Sequence, residues 1–77
     1  MFLVYSKPDC SYCDKAELLL SMGERSYTKI DLTKDQDAMD FIVSKGLRCV
    51  PQIFEKQGDA LIMVGGYREL EKYLQGV

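Results

Sequence analysis

Two cysteines, Cys10 and Cys13, stand at the point where one hydrophobic period gives way to another. Ahead of them "FLVYS", residues 2–6, is a short β-prone run that ends at the turn signal "KPD". Behind them Tyr12, Ala16, Leu19 and Leu20 recur at helical spacing, with Asp14, Lys15 and Glu17 on the outside, and Gly23 stops the helix. The pair therefore straddles a loop and the first turn of a helix that follows a strand. That placement limits both the architecture around the thiols and the chemistry open to them.

The remaining segments fix the architecture. "SYTKIDL", residues 26–32, sets Tyr27, Ile30 and Leu32 among polar residues and reads as a second strand. "TKDQDAMDFIVSKG", residues 33–46, reads as a second helix. Thr33 is its expected N-cap, acids cluster early, Lys45 comes late, Gly46 closes it, and Ala38, Phe41 and Ile42 form the inner stripe. "PQIFEK" and "ALIMV" are two more strands, joined by the hairpin signal "QGD". "GGYRELEKYL" closes the chain as a third helix with Tyr67, Leu70 and Leu74 on one face. The order is β-α-β-α-β-β-α. An opening strand, helix and strand imply a right-handed parallel crossover, and the later hairpin adds antiparallel strands to the same sheet. The expectation is an α/β, thioredoxin-like fold, a four-stranded mixed sheet flanked by three helices, in a single domain spanning residues 1–77.

A chain of 77 residues buries a small core and no large cavity, so any substrate sits near the surface. Net charge is −2, with lysines and acids interspersed. That argues against a general nucleic-acid or membrane-surface binder, which shows a basic patch. No apolar run approaches the roughly 20 residues needed to cross a bilayer. "MFLVYSKPDC" carries neither a basic leader nor a long apolar stretch, so a reducing cytoplasm is the expected location.

The chain has three cysteines and no histidine. An odd count without an export signal speaks against a disulfide scaffold. Zinc asks for four ligands, usually Cys or His, and Cys49 is one further candidate beside Cys10 and Cys13. A purely structural bridge between Cys10 and Cys13 closes a very short loop and stabilises little. The dithiol reading has a direct physical basis. A helix start offers unpaired N–H groups and the positive end of the helix dipole, which favour a thiolate at Cys10. Thiols in such positions fall from about 8.5 to roughly 3.5–7.5 in pKa. Cys13, held close by the same turn, can attack a mixed disulfide and release the product. Lys7 adds positive charge nearby. In "RCVPQIF", Pro51 opens a β-run; it either starts an edge strand or forms a cis Val50–Pro51 bond that leaves backbone groups free for an extended substrate.

"YSKPDCSYC", "CVPQIF" and "VGGYREL", in this order and over this element string, closely resemble glutaredoxins across essentially the whole chain. The resemblance implies a glutathione-dependent disulfide oxidoreductase with Cys10 as nucleophile and Cys13 as resolving thiol, and it makes Pro51 a cis proline. It would reduce disulfide-containing proteins and glutathione mixed disulfides, acting as a monomer. By position, the Val50 backbone would pair with the cysteinyl part of glutathione, and Lys7 with Arg48 would face the glycyl carboxylate. Tyr12 would line the groove beside Pro51. Gly66 and Tyr67 would present N–H groups to the γ-glutamyl carboxylate, with Arg68 in the same stretch.

Three departures from the family pattern matter. Ser11 stands where dithiol members most often have proline. Members with serine or glycine there include some that hold a two-iron two-sulfur cluster between two subunits. The alternative reading is therefore an iron–sulfur cluster-binding dimer, held by Cys10 and glutathione, with no other metal site. Cys49 replaces the usual threonine and is expected to pack as a small, half-buried residue. Tyr67-Arg68 resembles the "G-F-R" of small redoxins that serve ribonucleotide reductase and draw electrons from thioredoxin reductase. An acidic partner for the γ-glutamyl amine is missing at Arg68; either Glu69 replaces it or the glutathione preference is reduced.

Overall fold

The structure, a computed structural model, describes residues 1–76. Its elements are β1 (Phe2–Ser6), α1 (Ser11–Met22), β2 (Tyr27–Asp31), α2 (Gln36–Ser44), β3 (Gln52–Gln57), β4 (Ala60–Gly65) and α3 (Tyr67–Leu74). The sheet order is β2-β1-β3-β4. β1 runs parallel to β2, with Val4 beside Lys29, and antiparallel to β3, with Val4 beside Ile53. β4 completes the sheet antiparallel to β3, and the hairpin turns between Gln57 and Ala60. Gly58 takes a φ of 60° there, as the first central residue of a two-residue hairpin loop requires.

Successive residues of a strand face opposite sides of the sheet, so β1 feeds two cores. Phe2 and Val4 point to one face, where they meet Ala16 and Leu20 of α1, Ile53 of β3 and Leu70 of α3. Tyr5 points to the other, among Leu32, Ala38, Ile42 and Phe54 under α2. Each large apolar side chain so buried stabilises the fold by about 1.5–3 kcal/mol relative to exposure. The strand alternation thus places α1 and α3 together on one face and α2 alone on the other. That pairing brings the starts of α1 and α3 side by side.

Two sequence expectations need correction. Thr33 does not cap α2. Its N–H and hydroxyl both donate to Asp31 Oδ1, at 2.8 and 2.6 Å, which closes the turn after β2. Asp35 is the cap instead: its backbone is extended, and its Oδ1 accepts the Ala38 N–H at 3.0 Å. The other correction is on α1. Tyr12 is exposed, and Cys13 takes the inward position with Ala16 and Leu20. One turn of a helix places both residues near the apolar stripe, and the close contact under the site admits the smaller one.

Candidate active site

The turn between β1 and α1 sets the two sulfurs. Asp9 takes a positive φ of 58°, a conformation that aspartate tolerates better than most residues, and this redirects the chain into the helix. Cys10 then follows as the N-cap, in extended conformation with φ −109°. Its Sγ accepts the Cys13 N–H at 3.1 Å, so one of the unpaired donors of the helix start is aimed at this sulfur. Cys10 and Cys13 form a disulfide with a Cα–Cα distance of 5.2 Å. Cys13 is 1% exposed, whereas Cys10 is half-buried and open to an incoming group.

Beside the pair lies an open groove of about 310 Å³, built from three segments remote in sequence. Tyr12 comes from α1, Val50, Pro51 and Gln52 from the entry to β3, and Gly66, Tyr67 and Arg68 from the start of α3. The Tyr12 and Tyr67 rings approach to 5.9 Å between centroids and close one wall. The Val50–Pro51 peptide is cis. Among the described residues no backbone group bonds to the Val50 N–H or C=O outside the regular elements, which leaves this segment able to pair with an extended ligand. Gly66 packs against the Pro51 carbonyl; a Cβ there would lie 3.7 Å from that oxygen.

Six of the expected site residues therefore share this groove: Tyr12, Val50, Pro51, Gly66, Tyr67 and Arg68. Lys7 and Arg48 do not. They line a neighbouring cavity of about 220 Å³ on the α2 side, which shares only Cys49 and Val50 with the groove. Cys49 itself is a free, exposed thiol, not the half-buried residue expected. One groove residue, Gln52, escaped sequence reasoning, and Glu69 was reached only as a possible partner for the γ-glutamyl amine. Gln52 is buried, and its Nε2 donates to the Cys49 carbonyl at 2.9 Å, holding the turn that precedes the cis peptide. Glu69 Oε1 accepts the Gly66 N–H at 2.9 Å. That contact was not foreseen; its signal was the place of Glu69 three residues after a helix cap, the reverse half of a capping box. Among the described residues no group of three or more Cys, Asp or Glu side chains is arranged to hold a metal ion. No helix among them is long and apolar enough to cross a membrane.

A β-α-β-α-β-β-α sheet with an N-cap cysteine bonded to a buried one places this chain in the thioredoxin-like class. Among solved structures it is similar to buckwheat glutaredoxin, determined as a complex with glutathione (26% identity, TM-score 0.71, covering 97% of this chain and 69% of that one). It is also similar to the glutaredoxin of Brucella melitensis (27%, TM-score 0.71, 96% and 77%). The fold alone is shared with NrdH-redoxin from Escherichia coli, a glutaredoxin-like protein with a thioredoxin-like activity profile (18%, TM-score 0.73, 92% and 91%). Among curated proteins the sequence has no match. The glutaredoxin family model matches residues 2–58, and the chain belongs to the glutaredoxin family. It is a thiol–disulfide oxidoreductase.

Proposed function

We propose that the protein reduces protein disulfides and glutathione mixed disulfides through Cys10 and Cys13, and that glutathione restores the dithiol. The observation that carries this reading is the asymmetry of the pair: Cys10 Sγ accepts the Cys13 N–H at 3.1 Å at a helix start, and Cys13 is buried behind it. In the reduced protein, the Cys10 thiolate attacks one sulfur of the substrate disulfide. A mixed disulfide forms, and the other substrate sulfur leaves as a thiolate. Cys13 then attacks Cys10 Sγ, the Cys10–Cys13 bond forms, and the second substrate sulfur leaves. Two electrons have passed from dithiol to substrate. Two glutathione molecules return them and leave as glutathione disulfide.

The groove supports glutathione as the ligand in three places. The Val50 backbone is open to the cysteinyl unit, Tyr12 and Tyr67 supply apolar walls, and Gly66 and Tyr67 begin a helix whose N–H end suits the γ-glutamyl carboxylate once Glu69 gives way. Lys7 and Arg48, in the neighbouring cavity across the Cys49–Val50 segment, are the charges available to a glycyl carboxylate that extends past Val50. Ribonucleotide reductase is among the protein targets supported by the likeness of Gly66-Tyr67-Arg68 to the "G-F-R" of redoxins that serve it.

Single substitutions test the assignment. Cys10→Ser abolishes exchange on every disulfide substrate; retained turnover would remove Cys10 as nucleophile. Cys13→Ser keeps reduction of glutathione mixed disulfides, where an outside glutathione resolves the intermediate, and loses reduction of protein disulfides by the dithiol route. Both activities are read in a coupled assay with glutathione and glutathione reductase, with thioredoxin reductase as the comparison reductant.

A further inference from the structure

The anion position at the start of α3 is already taken. Glu69 Oε1 sits 2.9 Å from the Gly66 nitrogen and accepts its N–H. The two glycines make room for this contact. At Gly65, with φ 118°, a Cβ would lie 2.9 Å from both Cβ and Cγ of Glu69; at Gly66 it would lie 3.1 Å from Oε1. The sequence Gly65-Gly66 is thus matched to a carboxylate folded back over the helix start. Glu69 lines the same groove as Val50, Pro51 and Tyr67.

We infer that Glu69 is a specificity-determining residue that competes with the γ-glutamyl carboxylate of glutathione. An incoming carboxylate must displace the Glu69 side chain from the Gly66 N–H and also approach a like charge. A disulfide partner without that carboxylate meets neither obstacle, so the chain favours peptide-like and protein disulfides over glutathione more than the groove walls alone predict. The inference rests on the reading of this groove as the glutathione site.

The test compares two small mixed disulfides of 2-mercaptoethanol, one with glutathione and one with cysteinylglycine acetylated at its cysteine nitrogen, which keeps the amide and lacks the charged end of the γ-glutamyl unit. Second-order rate constants are measured for the reduced protein in single turnover, so no recycling reductant enters. The ratio of glutathione to acetylcysteinylglycine rates is expected to rise roughly three- to tenfold in Glu69→Ala, given the strength of a charge-assisted hydrogen bond discounted for exposure. Glu69→Gln keeps an acceptor for the Gly66 N–H and the helix cap while removing the charge, and it raises the ratio by a smaller factor. An unchanged ratio in both variants overturns the inference. A fall overturns it as well, because Glu69 would then be holding the γ-glutamyl ammonium. If neither mixed disulfide reacts with the unaltered protein while a protein disulfide does, the glutathione reading fails and the inference goes with it.

Discussion

The proposed division of labour between the two thiols rests on what surrounds each sulfur, since both sit in the same turn. Cys10 ends a loop and faces solvent; Cys13 enters the core beside Ala16 and Leu20. The C-x-x-C spacing made both visible in the sequence, and the period change placed them at a helix start. The dithiol chemistry called for a sheltered Cys13, but the helical period favoured Tyr12 as the inner residue, because the two lie about 100° apart, one on each side of the stripe formed by Ala16 and Leu20. The same limit applies at α2. Thr33 and Asp35 are both good capping residues, and the choice was made by Asp31, whose carboxylate takes both donors of Thr33. Asp35→Ala is therefore expected to lower stability by about 0.5–2 kcal/mol, and Thr33→Ala to lower it less. Urea denaturation monitored by circular dichroism makes the comparison.

Elements that carry a clear period, β1, α1 and α3, were legible almost to their ends, and "QGD" located the β3–β4 hairpin. What joins elements was not legible, because no periodicity links a residue to a partner far along the chain. The tie between α3 and β3 is of this kind: the Tyr73 hydroxyl donates to the Glu55 carboxylate. The hydrogen bond from Tyr73 holds the Glu55 carboxyl below its ordinary value of 4.5, and the same bond, with some burial, raises the Tyr73 phenol above 10.0. A lowered carboxyl pKa stabilises the fold above its unfolded value and stops doing so as pH falls through the folded one. A raised phenol pKa stabilises the fold below its unfolded value and stops doing so as pH rises through the folded one. Tyr73→Phe is accordingly expected to lower the thermal midpoint between these limits, with the deficit disappearing in acid below the Glu55 pKa and in alkali above that of Tyr73. A deficit that is flat across pH would show that the two groups are not coupled.

At the scale of the whole molecule, core and groove are made of the same parts. Leu70 of α3 and Leu20 of α1 share one core, both fully buried, and the starts of these two helices carry Tyr67 and Tyr12. Leu70→Ala is expected to cost about 2–5 kcal/mol, a large share of what a domain of this size has to spare. It should also slow reduction of glutathione mixed disulfides at temperatures where the protein is still folded, because the Tyr12–Tyr67 wall loosens. Thermal unfolding and the second-order rate constant check both halves. The groove as a whole was reachable from the sequence by resemblance alone, since spacing says nothing about segments brought together by a sheet. The burial of Cys13 has a consequence in time. In the proposed exchange the mixed disulfide on Cys10 is cut from inside by a buried thiol, a step whose rate belongs to the protein itself. Each encounter with a disulfide partner would then carry its own first-order clock, and free thiol outside could shorten the encounter only by attacking at the accessible Cys10.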